Sequence, residues 1–236
     1  MYLQADASQL EWRTALELSG DEVGIREVLE KQDAHALNQK AFELPSRLIA
    51  KIYLFRTIFR GSGWAFANDP SFNHVSSDPK FWEQINEKFY SKYYGLNKQH
   101  FIWKDLVLEG KPIISPLGRE WLIPYIDKIP WTLLTNYPVQ GTGADIMLLA
   151  RVIFRKRLKE KEWNKLVYLI TSVHDSIIVD CPKYLINDVI KLFHESFAAI
   201  IPNIKTIWGY TWKVPLECEC KIGFTMKDMT KVAFTL

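Results

Sequence analysis

Apolar and polar residues alternate along the chain in patterns that predict both strands and helices, without an internal repeat. Residues 1–6 predict a short strand that runs directly into a helix with apolar positions between 10 and 18. Residues 22–43 have a helical pattern with a break near Asp33. Residues 44–59 predict a further helix, which a Pro-Ser pair opens and the sequence RGSG closes.

The second half of the chain predicts strands that arrive as hairpins. Residues 105–124 predict a hairpin with glycine turns, and residues 138–145 predict a loop before a long helix. Residues 166–173 and 177–181 predict two strands around a tight turn, HDS at 174–176, followed by a helix near 184–200 and a last strand within 214–223. Because these strands are not separated by regular helical crossovers, we expect an α+β fold with mainly antiparallel pairing.

Composition and charge exclude some classes of protein. The chain has 236 residues, of which 48% are hydrophobic and 14% aromatic, enough for one large domain or two small ones. No apolar run reaches the roughly 18 residues of a membrane helix, and the N-terminus lacks the order of a signal peptide. We therefore expect no membrane span and a cytoplasmic location. A net charge of +3 is too small to argue for a polyanionic partner.

The three cysteines are Cys181, Cys218 and Cys220. They form no even disulfide framework, and a C-x-C pair alone does not supply the four ligands of a tetrahedral metal site. We therefore expect reduced cysteines with a structural role.

The segment TSVHDSIIVD, at residues 171–180, places an ionisable pair at the tip of the predicted hairpin. The pair is His174 and Asp175, and ordinary turn chemistry is one interpretation of it. Asp6 also ends a predicted strand. If the two strands are neighbours, the carboxylates of Asp6 and Asp175 repel each other unless a cation lies between them, and Mg²⁺ is the natural one. The pattern leaves open whether the two meet.

One predicted helix carries four chemically distinctive residues at intervals of four. They are Arg47, Lys51, Phe55 and Phe59, with the cations at one end and the rings at the other. Successive members are offset by only about 40° around a helix, so all four are expected on one face.

Three separated motifs resemble those of family A DNA polymerases, in the family's order. DASQLEWR at 6–13 is similar to D-Y-S-Q-I-E-L-R, and RLIAKIYLFRTIF at 47–59 follows R-x3-K-x3-F-x3-Y. VHDS at 173–176 resembles V-H-D-E. Further agreement lies at KQDAH (31–35), PLGREWLIP (116–124) and NYPVQGTGAD (136–145). The resemblance spans nearly the whole chain.

The resemblance implies a polymerase palm with an antiparallel sheet plus mainly helical fingers. Residues 1–25 and 126–236 would form the palm, and residues 26–125 the fingers with a connecting hairpin. Family members carry a thumb and an exonuclease-like domain before the first motif, and we expect both to be absent here. A separate protein partner would then supply the thumb and the N-terminal polymerase parts, as in a split phage-type polymerase acting in a bacterial host cytoplasm.

The resemblance also assigns roles to residues. Asp6 and Asp175, with the Ala7 carbonyl, would hold two Mg²⁺ ions. The residues that would bind the incoming dNTP, including the catalytic cations, are Gln9, Glu11, His35, Arg47, Lys51, Phe55 and Phe59. Those that would contact primer-template DNA are Arg13, Asn136, Gln140 and His174.

The implied function is template-directed DNA synthesis, in which Glu11 excludes the ribose 2′-hydroxyl with help from the ring of Phe59. Ser176 replaces the family's glutamate, which leaves a single-subunit RNA polymerase-like enzyme as one alternative. A primer-template-binding fragment without catalysis is the other. Arg56 and Arg60 stand where the family has glycine, at the end of the second motif.

Overall fold

The computed structural model describes residues 1–124 and 127–233. The strands are β1 (Tyr2–Ala7), β2 (Ile113–Ile114), β3 (Glu120–Trp121), β4 (Tyr168–Val173), β5 (Ser176–Asp180), β6 (Cys218–Gly223) and β7 (Thr230–Val232). The helices are α1 (Leu10–Ser19), α2 (Glu22–Leu29), α3 (Ala34–Ala41), α4 (Arg47–Thr57), α5 (Gly63–Ala67), α6 (Pro79–Lys92), α7 (Tyr94–Leu108), α8 (Trp131–Glu160), α9 (Ile186–Ala198) and α10 (Ile200–Trp208). Within the described residues, no helix combines the length and the low polarity that crossing a bilayer requires.

The chain divides into two compact units. The first combines Met1–Leu10 with the chain from Thr142 onward, and the second is Glu11–Gly141. The division into palm and fingers at residues 1–25, 26–125 and 126–236 is a functional assignment and stays a prediction.

The first unit is built on a five-stranded sheet in the order β4-β5-β1-β6-β7, with antiparallel pairing throughout. In β1, burial alternates, and Leu3, Ala5 and Ala7 are the buried positions. Helix α9 packs on β1 and β6, and the ring of Phe193 stacks on Phe154 of α8 at a centroid distance of 3.8 Å. The predicted α+β class with antiparallel pairing is confirmed.

The second unit is mainly helical and has an aromatic core. Tyr53 of α4 lies at its centre, within 5.1 Å of the Phe66 ring and 6.1 Å of the Trp82 ring, measured between centroids. The Tyr53 hydroxyl donates to Asn86 Oδ1 at 2.8 Å, so the polar end of this fully buried side chain is satisfied. This core anchors the inner face of α4.

Side-chain caps begin the helices where the sequence predicted boundaries. Asp33 accepts hydrogen bonds from the backbone N–H groups of His35 and Ala36, and so starts α3 at the predicted break. Ser46 accepts from the Ile49 N–H and starts α4. Each cap satisfies backbone donors that have no partner within the helix.

Two sequence predictions of local structure are wrong. The segment 138–145 is not a loop, because α8 already begins at Trp131 and continues through Pro138. The proline removes one backbone donor, and burial of the neighbouring Leu134 and Val139 holds the helix together. The predicted hairpin also begins too early, since residues 105–108 belong to α7.

Helix α4 ends in a tight turn that changes the predicted four-residue face. The Gly61 N–H donates to the Arg56 carbonyl and the Arg60 N–H to the Thr57 carbonyl, both at 3.0 Å. Arg60 has a φ of +61°, in the position where helix ends usually carry glycine. Phe59 lies in this turn rather than in α4, so the common helical face is limited to Arg47, Lys51 and Phe55.

The side chain of Arg60 enters an aromatic cage. Its guanidinium carbon lies 4.3 Å from the Tyr90 centroid, 4.7 Å from that of Trp131 and 5.0 Å from that of Phe101. Its Nε donates to Nδ1 of the fully buried His100 at 3.0 Å. Burial, followed by the charge of Arg60, holds the pKa of His100 well below its ordinary value, so the ring is neutral and accepts this hydrogen bond.

Because His100 is buried and neutral, we expect the free energy of unfolding to fall as the solution becomes more acidic. Because the pKa of His100 is lowered in the folded chain, the unfolded chain binds an extra proton below about pH 6.5. The free energy of unfolding should therefore decrease as pH falls below that value, by up to about 1.4 kcal/mol per pH unit for this histidine. Urea unfolding between about pH 7.5 and 5 measures this slope. His100→Gln should flatten it, whereas His74→Gln, at an exposed histidine, should not. An equal slope in wild type and His100→Gln would contradict the prediction.

Candidate active site

Asp6 and Asp175 lie at the same end of neighbouring strands. Strand β1 pairs with β5 so that Asp6 faces Ser176, and the Ala7 N–H donates to the Asp175 carbonyl at 2.8 Å. Adjacent strands are about 4.8 Å apart, so the backbones that carry the two carboxylates are in direct contact. The proximity that the sequence left open is therefore present in the structure.

The β4–β5 turn presents Asp175. His174 has a φ of +50° and forms the turn with Asp175, so this turn is two residues long. The sequence prediction that placed Ser176 at the tip is wrong, because Ser176 is the first residue of β5 and pairs with Val173. The Ser176 hydroxyl donates to the Val173 carbonyl at 3.0 Å, and the side chain is buried. Its role in the structure is to close the hairpin.

A second tight turn follows Asp6. Gln9 has a φ of +52° between β1 and α1, and the Ser8 N–H donates to the Glu217 carbonyl at 2.9 Å. These contacts stop β1 directly after Asp6 and Ala7. The two residues predicted to supply a carboxylate and a carbonyl are thus held at the end of a central strand.

Glu219 is a third acidic residue at this end of the sheet, and it was not among the residues predicted from the sequence. It lies opposite Asp6 on β6, so both side chains are on the same face of the sheet. Lys231 of β7 pairs with Glu219 at 2.7 Å between Nζ and Oε1. The alternation in the segment ECEC indicated that the two glutamates share a face, but only the strand order places that face beside Asp6.

In the second unit, Arg47 and His35 both contact Asp33. Arg47 Nε donates to Asp33 Oδ2 at 2.6 Å, while the other carboxylate oxygen of Asp33 accepts from the His35 N–H at 3.0 Å. The hydrogen bond from Arg47 is the main cause that lowers the pKa of Asp33. Burial, then the charge of Arg47, lowers the pKa of His35, which keeps this histidine neutral at pH 7.

Lys51 and Phe55 follow Arg47 on the same face of α4. Lys51 is exposed and Phe55 is half-buried, with its ring centroid 6.1 Å from that of His35. This arrangement places two cations in succession and then a ring, next to a nearly buried imidazole. Phe59 is half-buried in the turn beyond the helix.

Glu11 and Gln140 also meet within the second unit. Gln140 Nε2 donates to Glu11 Oε1 at 3.2 Å, which connects the first turn of α1 to α8. Gly141 follows Gln140, and a Cβ added to this glycine would lie 2.4 Å from Trp121 Cζ2, so a glycine is required for this packing. Arg13 on α1 and Asn136 on α8 are both half-buried.

The predicted site residues are therefore divided between the units. The first unit contains Asp6, Ala7, Gln9, His174 and Asp175. The second unit contains Glu11, Arg13, His35, Arg47, Lys51, Phe55, Phe59, Asn136 and Gln140.

Comparison with known proteins places this arrangement in a family. The chain is 27% identical over 230 residues to the thermostable DNA polymerase I of Thermus aquaticus, covering 92% of this chain and 26% of that protein. It is 26% identical over 234 residues to DNA polymerase I of Aquifex aeolicus, covering 94% of this chain and 38% of that protein. A DNA polymerase of Bacillus phage SP01 is 23% identical over 206 residues, with 83% of this chain and 22% of that protein covered.

A solved structure has the same fold. The POL domain of Pol1 from M. smegmatis, in complex with DNA primer-template and dNTP, matches with a TM-score of 0.77 at 19% identity. The match covers 93% of this chain and 38% of that chain. The chain thus spans between about a quarter and two fifths of the Thermus and Aquifex polymerases and of this domain. The family model for DNA polymerase family A matches residues 1–228, and the chain belongs to that family.

Proposed function

We propose that the chain carries out template-directed DNA synthesis, in which a nucleotide passes from a dNTP to the 3′-hydroxyl of a primer. The observation that carries this proposal is the proximity of Asp6 and Asp175 at the same end of neighbouring strands, in a chain of this family. The M. smegmatis domain of the same fold is in complex with DNA primer-template and dNTP. A fragment that only binds primer-template DNA has no need for two carboxylates beside phosphates, since both would repel the DNA.

The oxygen donors at this end of the sheet fit Mg²⁺. Asp6, Asp175 and the Ala7 carbonyl are hard ligands, and magnesium typically takes one or two carboxylates with waters and substrate phosphates. When bound, two such ions would acidify the primer hydroxyl and neutralise charge on the triphosphate. The contribution of the protein is to hold its carboxylates on a rigid central strand and a tight turn, so that little reorganisation is needed.

In this proposal, Arg47 and Lys51 bind the triphosphate. Arg47 pairs with Asp33, and both side chains are about half exposed, at 55% and 41%. Because solvent weakens an ion pair that is exposed to this degree, phosphates can replace Asp33 at little cost. The neutral His35 then donates a hydrogen bond, Phe55 contacts the sugar, and Phe59 packs at the template-side base stack.

Glu11 is proposed to select the deoxyribose. A carboxylate next to C2′ leaves no room for a hydroxyl, and the hydrogen bond from Gln140 holds the Glu11 side chain in position. Gln9 contacts the incoming nucleotide, Asn136 and Gln140 contact the primer-template, and Arg13 and His174 contact the primer end.

The Glu11 proposal predicts a change in sugar selectivity. Glu11→Ala should raise ribonucleotide incorporation relative to deoxynucleotide incorporation by roughly 10- to 100-fold, because excluding one group by packing is worth about 1–3 kcal/mol. Competitive single-nucleotide incorporation measures the ratio. Glu22→Ala, at an exposed glutamate in the first turn of α2, is the matched control. An unchanged ratio in Glu11→Ala would remove Glu11 from this role.

We also propose a protein partner and a location. Most of the length of the Thermus and Aquifex polymerases lies outside the match. A partner chain with the thumb and the N-terminal polymerase parts is proposed to supply the phosphate contacts that dominate DNA affinity. This chain would contribute the other parts of the polymerase. They are the palm, at residues 1–25 and 126–236, and the fingers, at residues 26–125. A bacterial host cytoplasm fits the similarity to a phage polymerase.

Primer extension tests the proposed function. The chain is incubated with primed DNA, Mg²⁺ and either deoxynucleotides or ribonucleotides, alone and with a thumb-bearing polymerase fragment, beside an Asp6→Asn variant. Extension that is confined to deoxynucleotides and absent in Asp6→Asn is the expected result. Extension with ribonucleotides alone would favour an RNA polymerase. Binding of primed DNA without extension under every condition would mean a non-catalytic fragment.

A further inference from the structure

Two cysteines and a histidine form a cluster on the face of the sheet that α9 covers. Cys218 Sγ lies 3.9 Å from His194 Nδ1, and Cys220 Sγ lies 4.0 Å from His194 Nε2. One ligand atom from each residue can be chosen so that all three lie within 4.8 Å of one another. The C-x-C pair alone lacks the further ligands of a metal site, and α9 provides one.

The strand geometry allows Cys218 and Cys220 to bind the same metal ion. Residues two apart on a strand point to the same face, so Cys218 and Cys220 both face α9, where each is at most 5% exposed. In a tetrahedral zinc site, sulfur and nitrogen ligands are about 3.5–3.8 Å apart, since Zn–S is about 2.3 Å and Zn–N about 2.0 Å. The three side chains therefore need to close by roughly an ångström at most.

The electrostatic surroundings favour a divalent cation. Glu217 precedes Cys218 in the chain, and Asp6 precedes Ala7, the residue opposite Cys218, so both carboxylates lie near this thiol. Two thiolates and one Zn²⁺ sum to zero charge, so a buried site of this composition avoids the large cost of an isolated charge. Thiolate and imidazole are also ligands that favour zinc over the magnesium expected at oxygen donors.

We propose that His194, Cys218 and Cys220 bind one Zn²⁺ ion. In the structure the imidazole presents one nitrogen to each sulfur, so the ring would turn on binding to bring a single nitrogen to the metal. The fourth position is taken by water. The ion links α9 to β6. Strand β6 pairs with β1, where Cys218 lies opposite Ala7 and Cys220 lies opposite Ala5. Zinc thereby braces the strand that carries Asp6.

Cobalt and zinc test the site without any need for polymerase activity. Titration of the reduced, metal-free chain with Co²⁺ should give a thiolate-to-cobalt charge-transfer band that saturates at one ion per chain. A hundredfold excess of Zn²⁺ over its Kd should abolish the band and raise the Tm by roughly 5–10 °C.

Valine variants assign the ligands. The double variant Cys218→Val/Cys220→Val keeps apolar, β-branched side chains at buried strand positions and should lose both the band and the Tm shift. Cys181→Val is the matched control, because Cys181 is also buried and free but lies at the other end of the sheet, beside Met1. This control should keep both signals. Circular dichroism verifies that each variant is folded.

Two results would overturn the proposal. One is a folded wild-type chain that gives no thiolate-to-cobalt band and no Tm shift with Zn²⁺. The other is a band that persists in the double variant or disappears in Cys181→Val, since the thiolates would then belong to another site. If the double variant does not fold, His194→Phe provides the same test from the helix side, and the wild-type titration alone still decides whether a site exists.

Discussion

Asp175→Asn is expected to lower the rate of primer extension by on the order of a thousandfold or more. The substitution keeps the size of the side chain and its place in the β4–β5 turn, but removes the negative charge next to Asp6. Mutations that remove one preorganised electrostatic contact to the transition state typically cost about 10²–10³ in rate. The loss should exceed that range if Asp175 is a metal ligand as proposed, because both proposed metal positions would depend on the carboxylate pair.

Single-turnover extension, with Mg²⁺ and the thumb-bearing fragment if the chain alone is inactive, measures this effect. Asp180→Asn is the matched control, since Asp180 is the last residue of β5, the strand that follows Asp175, and it pairs with the N-terminal amine at 2.8 Å. That variant should extend primers at nearly the wild-type rate. Binding of Mn²⁺, followed by electron paramagnetic resonance, should weaken in Asp175→Asn only. A variant that lacks the carboxylate and extends primers at the wild-type rate would show that Asp175 is not a catalytic residue.

Arg60→Ala is expected to destabilise the chain by about 3 kcal/mol. The substitution removes a desolvated cation from three aromatic rings, an interaction worth about 2 kcal/mol or more. It also leaves the buried His100 Nδ1 without the donor it has in the wild type, at a cost of about 1–3 kcal/mol. The free energy of unfolding in urea measures the sum.

Arg60→Gly distinguishes the side-chain contacts from the backbone conformation. Glycine relieves the positive φ at this position, so Arg60→Gly should be more stable than Arg60→Ala by roughly 1 kcal/mol and still less stable than wild type. Arg56→Ala is the matched control, because Arg56 lies one turn earlier in a partly exposed ion pair with Asp69 and should destabilise the chain much less than Arg60→Ala. If Arg60→Gly were more stable than wild type, the aromatic cage around Arg60 would contribute nothing to the free energy of unfolding.

Two arginines lie where the resemblance of the second motif implies glycine. Arg60 accepts a left-handed backbone because its side chain gains the aromatic cage. Arg56 pairs with Asp69 at 2.7 Å and lies over the ring of Phe72. The sequence indicated that both positions were unusual, but the compensating groups come from other helices and a loop, and no local pattern predicts them.

Local signals determined most of the elements and the α+β class. Asp33 and Ser46 start α3 and α4 because a side-chain cap acts on the next three residues, all of which are visible in the sequence. The hairpin at His174 and Asp175 was equally readable from a turn between two apolar runs. The loop predicted at 138–145 was wrong because burial of α8 against its surroundings outweighs the local preferences of proline and glycine.

Only the tertiary structure decided which residues meet. The order β4-β5-β1-β6-β7 brings Asp6 beside Asp175, adds Glu219 on the other side, and places Cys218 and Cys220 under His194. Strand order and register depend on which apolar faces pack together across the whole chain, and neither is encoded in a short window. The sequence by itself thus identified the candidate side chains. The sheet determined which of them are neighbours, because cross-strand neighbours are set by pairing between segments that are distant along the chain.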